Sequence, residues 1–387
     1  MLHQIATVSW LNFKSLPNRF WPSLVIVVGM ACVVGMLLSM LSLSTGYVAS
    51  EMKAGDPGRA IIIADGTENE NASALTRDQV NIIKDGPGIR KDVDGSPLAE
   101  SEIMVTAPTS RKSGVFTYIL IRGFGPKSVA LRPDFKITAG RMFRPGAQEM
   151  IIGKAGQDQF AGMAIGDKVI LPNGQWPIVG EFTTGGDILE GELLADRDTL
   201  MAAVRRTVFN SVLARLERAP ASIDRLKAAL TTNPALSVIA ERHSTYYEHF
   251  SAPNAILFSA VAYVVGGIMA LGALFGALNT MYAAVSARRQ EIATLRAIGF
   301  GALPVAVSVV TESLLLALSG ALIGSAIAWL LFNGSQKAYF NNVFDLKVTP
   351  GLIELGIVWA LAVALLGGLL PSIRAARLPI VDALRAT

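Results

Sequence analysis

Few residues of this chain have the types and spacing that a catalytic or ligand-binding site requires. The stretch from Gly123 to Ser128 (GFGPKS) resembles a phosphate-binding loop, but it lacks the G-x-x-x-x-G-K-[ST] spacing. Pro126 also stands where a backbone N–H would have to reach a phosphate oxygen. We therefore expect no nucleotide site on this segment.

Two histidines lie near the end of the charged part of the chain. His243 and His249 are flanked by Glu241 and Glu248, and these residue types bind metals or move protons. Spacing alone supplies no convergent partners, so we interpret the histidines as surface residues. No Ser–His–Asp set or paired carboxylates stand out in the sequence, and we expect neither a catalytic nor a metal site.

The helices that would position a functional site can be located from the long stretches without charged residues. No charged residue occurs in 21–50, 251–287 or 355–373, and Glu312 is the only one in 300–336. About 20 apolar residues cross the hydrocarbon core of a bilayer as a helix. The sequence therefore predicts four transmembrane helices with a large domain inserted between the first and the second.

Charge is concentrated in that inserted domain. Between Tyr47 and Ala252 lie 24 of the 34 Lys and Arg residues and 25 of the 30 Asp and Glu residues. Such near neutrality argues against a nucleic-acid partner. Cys32 is the only cysteine, so no disulfide can form within the chain and the domain must be stabilised by its own core.

Strands and helices alternate in the inserted domain, which indicates an α+β fold. Asn173-Gly174 predicts a β-hairpin, and we expect two subdomains with a break near Gly185-Gly186. The predicted strands are 59–65, 102–106, 115–121, 149–152, 168–171, 176–182, 211–216 and 236–241, and the predicted helices are 74–84, 155–160, 195–205 and 223–230. The fold class is thus an α-helical membrane protein with four transmembrane helices and an α+β extracytoplasmic domain.

Basic residues beside the spans predict the orientation, because short cytoplasmic loops carry an excess of Lys and Arg. Lys14 and Arg19 precede the first span, three arginines lie between the second and third, and three follow the fourth. We expect both termini in the cytoplasm, the large domain outside, in the periplasm or the extracellular space, and an uncleaved signal anchor in the membrane. The predicted segments are an amphipathic helix on the inner leaflet (1–20), span 1 (21–46), the external domain (47–250), a stalk with span 2 (251–285), a cytoplasmic helix (286–300), span 3 (301–333), an external loop (334–353), span 4 (354–373) and a cytoplasmic tail (374–387).

The uncharged run 251–287 is too long for one bilayer crossing. As a helix, ~35 residues rise about 50 Å, against a hydrocarbon core of about 30 Å. We therefore expect span 2 to continue above the membrane as a stalk. Small residues on it allow close helix approach, either to a second copy or within the four spans; they are Gly266, Gly267, Gly272 and Gly276.

The loop 286–299 has the pattern of a short amphipathic helix. Glu291 can pair with Arg288 at i−3, and Gly299 suits a helix C-cap. Three apolar residues are expected to face one way: Ile292, Leu295 and Ile298. This helix is either a docking element for a cytoplasmic partner or a charged turn that obeys the positive-inside rule.

Two motifs make the chain similar to the FtsX-like, MacB-type permeases of ABC transporters. Residues 288–299 (RRQEIATLRAIG) resemble the family signature R-x-x-E-I-x-x-x-R-A-I-G. Residues 370–385 (LPSIRAARLPIVDALR) resemble the family tail P-x-x-R-A-A-x-x-x-P-x-x-A-L-R. Gly140–Phe143, with Ile152-Gly153 and Val179-Gly180, looks like the family's periplasmic core domain. The order of one span, a domain and three spans is also that of the family.

The resemblance implies that 288–299 is a coupling helix that contacts an ATPase subunit, with Glu291 at its centre and the start of the tail beside it. Glu312 matches an acidic position of the family; because an intramembrane carboxylate usually faces protein, packing or coupling is favoured over a proton relay. The implied coupling residues are Arg288, Arg289, Glu291, Ile292, Leu295, Arg296, Gly299, Arg374, Arg377, Leu384 and Arg385.

No P-loop occurs in the sequence, so the resemblance implies no cofactor or enzymatic activity on this chain, with ATP and Mg on a partner ATPase. The implied partners are an ABC ATPase dimer, a second permease (identical or a paralogue), a periplasmic membrane-fusion adaptor with an outer-membrane channel, and the lipid bilayer. The implied function is export or efflux of an envelope substrate by mechanotransmission. The alternatives are extraction of lipoproteins or lipids from the inner membrane, and transmembrane signalling to a cell-wall hydrolase without transport.

Overall fold

The structure is a computed structural model that describes residues 20–218, 221–339 and 342–377. The chain divides into two compact units. One, the membrane unit, comprises 20–45, 256–333 and 347–377 of the described residues, and the other, the external unit, comprises 46–255 and 334–346. The predicted amphipathic helix before Phe20 and the predicted coupling residues Leu384 and Arg385 lie outside the described residues.

The secondary-structure elements follow one another along the whole described chain. In chain order they are α1 (Phe20–Ala54), β1 (Arg59–Ala64), α2 (Arg77–Lys84), β2 (Ala99–Ser110), β3 (Phe116–Phe124), β4 (Lys136–Gly140), β5 (Met150–Gly153), α3 (Lys154–Gln159), β6 (Lys168–Leu171), β7 (Gly174–Thr183), β8 (Leu193–Asp196), α4 (Arg197–Ala203), β9 (Ser211–Arg215), α5 (Ser222–Thr231), β10 (Val238–Arg242), α6 (His243–Ala287), α7 (Arg289–Ala297), α8 (Ala302–Phe332), β11 (Gln336–Tyr339), β12 (Asn342–Asp345) and α9 (Pro350–Ala376).

Four helices, α1, α6, α8 and α9, are long and apolar enough to cross a membrane. Helices α1 and α6 extend well past the predicted spans, α1 to Ala54 and α6 back to His243. At 1.5 Å per residue the 45-residue α6 is about 68 Å long. The helices are longer than the apolar runs because backbone hydrogen bonding continues where the hydropathy falls.

Glycines let α8 approach α1 closely within the membrane unit. A Cβ at Gly320 would lie 2.5 Å from the carbonyl oxygen of Val27, and a Cβ at Gly324 would overlap the carbonyl oxygen of Ala31. Without side chains at these two positions the backbones come together and gain van der Waals contact. The two glycines therefore determine the α1–α8 packing distance.

The glycines predicted on α6 have different surroundings. A Cβ at Gly266 would lie 3.0 Å from Leu37 of α1, whereas Gly267, Gly272 and Gly276 have no atom within 4 Å of the same position in the described chain. Only the first of the four therefore packs within the membrane unit.

The external unit is built on one ten-stranded mixed sheet. Its strand order is β10-β1-β9-β2-β3-β8-β5-β7-β4, with β6 added to β7. The β3–β8 and β5–β7 pairs are parallel. Helix α2 begins with a capping box formed by Thr76 and Gln79. It packs its apolar side chains on the sheet together with α5; the core there contains Ile62, Val80, Ile83, Val212, Leu226 and Leu230.

The hairpin predicted at Asn173-Gly174 is present, because β6 and β7 pair around it and Gly174 has a φ of +137°. The predicted subdomain break at Gly185-Gly186 does not divide the sheet. Strand β8 follows the break yet pairs with β3 and β5, and β9 pairs with β1 and β2. Strand pairing joins segments that are distant in sequence, so a local turn signal is not a domain boundary.

Part of the expected loop 334–353 forms strands. Strands β11 and β12 pair in antiparallel orientation, and the described residues of 334–346 belong to the external unit. Helix α9 then begins at Pro350, after Thr349, whose hydroxyl accepts a hydrogen bond from the N–H of Leu352.

Candidate functional site

The helix between the second and third spans is a separate short element. Helix α6 ends at Ala287, and Arg288 leaves helical geometry (φ −98°, ψ 11°) before α7 begins. At the other end, Gly299 takes a φ of +104°, which a side chain would disfavour, and donates to the carbonyl oxygen of Arg296 at 3.2 Å. The backbone thus turns at both ends, and α7 is set apart from α6 and α8.

One face of α7 is buried in the membrane unit. Ile292 and Ala293 are 6% and 1% exposed, and Leu295 is half-buried. The apolar face of α7 is therefore shorter than the sequence predicted. Ile298 is 69% exposed, because the helix ends at Ala297. Ile292 belongs to an apolar cluster whose other buried members are Ile26, Met281, Val285, Val305, Val309, Leu316 and Ala375.

Arg288 and Glu312 form a buried ion pair. Nη1 of Arg288 lies 3.2 Å from Oε2 of Glu312, and the two side chains are only 6% and 8% exposed. The pair therefore joins the start of α7 to the middle of α8. Glu291 stays a predicted partner of Arg288, whereas the pairing with Glu312 was not predicted because the two residues are distant in sequence.

A second contact connects α7 to the end of α9. Nη1 of Arg296 donates to the carbonyl oxygen of Ala376 at 2.9 Å, which satisfies a carbonyl at the helix C-terminus. Glu291 is exposed on α7. The ion pair and this hydrogen bond leave α7 attached to both α8 and α9, with a polar face uncovered.

The structure brings the predicted coupling residues into two groups. Arg288, Glu291, Ile292, Leu295 and Glu312 line a cavity of about 30 Å³. Arg289, Arg374 and Arg377 line a wider groove between the ends of α6 and α9. Leu384 and Arg385 belong to the part of the tail that the structure does not describe.

A network of buried charges in the external unit was not predicted. Arg122 on β3 donates to Glu192 through Nε at 2.7 Å and Nη2 at 3.0 Å, and to Glu70 through Nη1 at 2.8 Å. Glu102 accepts from Arg122 at 3.3 Å and from both terminal nitrogens of Arg132 at 2.6 and 2.8 Å. Five charged side chains from separate segments thus meet beneath the sheet surface.

Arg122 and Glu102 are held in their charged forms by their partners in the network. Burial alone would lower the pKa of Arg122, but the carboxylates of Glu192 and Glu70 raise it well above its usual range. Burial would likewise raise the pKa of Glu102, yet the guanidinium groups of Arg132 and Arg122 lower it. Both groups are therefore ionised in the folded domain.

The structure corrects the interpretation of the two histidines. His249 is exposed and lies 3.6 Å from Glu241, but His243 is buried, with its ring 4.8 Å from that of Tyr247. Within the described ranges, no group of three His, Cys, Asp or Glu side chains could hold a metal ion. His243 is a core residue at the start of α6.

In the loop at 123–128, a carboxylate accepts a hydrogen bond from the backbone. The backbone N–H of Lys127 donates to Oε2 of Glu100 at 3.2 Å, and the side chain of Glu100 also lies against Gly125. Glu100, which also pairs with Lys84 and Arg197, therefore takes the backbone donor that a phosphate would need.

The sequence matches known families over most of its length. The family of the MacB-like periplasmic core domain matches residues 23–233, and the FtsX-like permease C-terminal family matches residues 263–380. The lipoprotein-releasing system transmembrane protein LolC of Neisseria meningitidis serogroup B (strain ATCC BAA-335 / MC58) is 23% identical over 403 aligned positions, which cover 94% of this chain and 94% of the relative.

Among solved structures, the extracellular domain of the noncanonic ABC-type transporter YknZ from Gram-positive bacteria is 16% identical, with a TM-score of 0.36 over 47% of this chain and 99% of that chain. The periplasmic-core match alone spans more than half of the sequence, and the permease match covers α7 and the two spans that follow it. The chain therefore belongs to the FtsX-like, MacB-type family of ABC transporter permeases.

Proposed function

We propose that this chain is the membrane subunit of a bacterial inner-membrane ABC transporter and that it transmits force from a separate ATPase dimer to its external unit. Helix α7 receives the ATPase, and α1 and α6, which contribute to both units, carry the movement outward. A second permease, identical or a paralogue, completes the assembly. The work is done on a substrate at the periplasmic side, with both termini in the cytoplasm.

The contacts that attach α7 to α8 and α9 are the observation that supports the proposal. A helix that receives force must move its neighbours with it, and α7 is joined to α8 by the Arg288–Glu312 pair and to α9 by Arg296. Glu291, on its polar face, is exposed. A charged turn that served only to orient the chain would need neither contact.

The test is Glu291→Ala in the permease assembled with its ATPase in lipid vesicles. We expect ATP hydrolysis to lose its dependence on substrate while the permease remains in the membrane at wild-type level. Glu68→Ala, which removes an exposed carboxylate of the external unit, is the matched control. Wild-type substrate-stimulated hydrolysis and full transport in the Glu291 variant would show that α7 does not couple the subunits.

Among the candidate functions of this transporter, release of lipoproteins from the membrane is favoured. The supporting observation is the relative named as a lipoprotein-releasing protein, which aligns over 94% of this chain. Export through an adaptor and an outer-membrane channel, and signalling to a cell-wall hydrolase, remain the other candidates.

Vesicles that contain a lipoprotein, the permease and its ATPase distinguish these outputs. ATP-dependent transfer of the lipoprotein to a soluble acceptor supports release. Retention of the lipoprotein, with ATP-dependent movement of a soluble or amphiphilic substrate only when an adaptor is present, supports export instead.

A further inference from the structure

A basic groove lies where the ends of α6 and α9 meet in the membrane unit. It has a volume of about 450 Å³, within the range of small-ligand sites. Three arginines line it, one from α7 and two from the end of α9. The lining residues are Val285, Ser286, Arg289, Leu370, Ile373, Arg374 and Arg377.

The three arginines have no carboxylate partner within the described part of the chain. Arg289, Arg374 and Arg377 are exposed, and no acidic residue lines the groove. The guanidinium of Arg374 lies 5.4 Å from the centre of the Tyr282 ring, which orients it without neutralising its charge. Three positive charges in one concave site favour an anion.

An apolar stripe leads along α9 to these charges. Leu366, Leu370, Ile373 and Arg377 follow one another at spacings of four, three and four residues, which places them on one helix face. The three apolar side chains are 60%, 54% and 40% exposed. A ligand that fits this surface carries an apolar chain beside an anionic head.

We propose that the groove binds the headgroup of an anionic phospholipid of the cytoplasmic leaflet, with its acyl chain along the apolar stripe of α9. Basic pockets between transmembrane helices on the cytoplasmic side are suited to such headgroups. The assignment rests on the proposed orientation, which places the ends of α6 and α9 in the cytoplasm. The bound lipid would connect the end of α9 to the start of α7 through Arg374, Arg377 and Arg289.

The test measures lipid retention by the full-length permease in the absence of ATPase, so that it is independent of coupling. Phosphatidylglycerol and phosphatidylcholine are offered in equal amounts, and the lipids bound to the purified protein are counted by native mass spectrometry. The variant is Arg289→Gln with Arg374→Gln and Arg377→Gln. The charge-matched control replaces Lys91, Lys112 and Lys136, which are exposed in the external unit, by Gln.

We expect phosphatidylglycerol affinity to fall about fivefold for each arginine lost and about a hundredfold for all three, with phosphatidylcholine retention unchanged. The triple Arg→Lys variant retains most of the binding because the charge is kept, which separates a local effect from misfolding. Equal phosphatidylglycerol retention in the Gln variant and the control overturns the proposal. If lipid retention is unchanged and ATPase binding, measured in a separate pull-down, is lost, the groove belongs to the ATPase interface and the proposal is overturned.

Accessible-cysteine labelling of a Ser286→Cys variant in which Cys32 is replaced by Ala tests the orientation separately in sealed vesicles. Labelling from the cytoplasmic side is expected. Labelling only from the external side overturns both the proposed orientation and the leaflet of the bound lipid, whatever the outcome of the retention experiment.

Discussion

Nη1 of Arg288 lies 3.2 Å from Oε2 of Glu312, and less than a tenth of either side chain is exposed. The pair connects the break between α6 and α7 to the middle of α8. A buried charge is tolerated only when a counter-charge lies close to it. The position of α7 is therefore determined by an ion pair as well as by the apolar contacts of Ile292.

Removing one member of the Arg288–Glu312 pair should lower the stability of the permease much more than removing both members. Glu312→Leu deprives the buried Arg288 of the Glu312 carboxylate, and we expect a loss of about 3–5 kcal/mol of stability. The double variant Arg288→Met with Glu312→Leu should recover most of this loss. The measurement is thermal unfolding of the permease in lipid nanodiscs, with substrate-stimulated ATPase activity recorded in parallel. Equal losses for the single and double variants would contradict a direct interaction.

The Arg122 network should dominate the stability of the external unit. Arg122→Leu leaves Glu192 and Glu70 buried beside each other, and we expect a loss of about 3–5 kcal/mol. Arg225→Leu removes an exposed arginine whose pair with Glu217 is solvent-screened, so its cost should be below about 1 kcal/mol. Urea unfolding followed by the fluorescence of Trp176, which is fully buried, compares the two in chains whose four other tryptophans are replaced by Phe. Similar losses in both variants would mean that the network contributes little.

The ion pair between Arg141 and Glu149 should make the stability of the external unit vary with pH in the acid range. Two hydrogen bonds of 2.7 and 2.6 Å from Arg141 hold the pKa of Glu149 at about 2, below its ordinary value of about 4.3. The depressed pKa means that this contribution is present above about pH 4.3 and is lost as the pH falls through about 2.

Glu149→Gln should therefore lower stability at neutral pH and flatten its decline between about pH 4 and pH 2. The measurement is the urea midpoint at several pH values, with Glu68→Gln at an exposed position as the control. An unchanged pH profile in the Glu149 variant would contradict the assignment.

Close packing of α1 on α8 should depend on Gly324. A Leu side chain there would meet the backbone of Ala31, so Gly324→Leu must push the helices apart and lose their contacts. We expect a lower yield of folded permease and a lower Tm. Gly267→Leu adds the same side chain where no atom lies within 4 Å and should be tolerated. Equal defects in both variants would point to a general effect of Leu on membrane insertion.

The amino-acid sequence determined the elements and their order. Hydropathy and periodicity are local properties, so the four apolar helices, eight of the ten strands between Arg59 and Arg242 and the hairpin at Asn173-Gly174 could be predicted from short windows. Strands β4 (Lys136–Gly140) and β8 (Leu193–Asp196) were not predicted. Helix α7 was predicted in the same way, from the charges and apolar residues between 286 and 299. The family motifs at 288–299 and in the tail are also contiguous in sequence.

The tertiary structure decided which of these residues meet. Arg288 and Glu312 are 24 positions apart, and their pairing depends on how α6 and α8 pack, which no local pattern encodes. Arg122 lies in a strand whose carboxylate partners are at 70, 102 and 192, so it could be taken for a surface charge. His243 likewise has the sequence surroundings of an exposed residue, yet it is buried. Burial and charge pairing depend on long-range packing, whereas helix and strand patterns depend on neighbours in the chain.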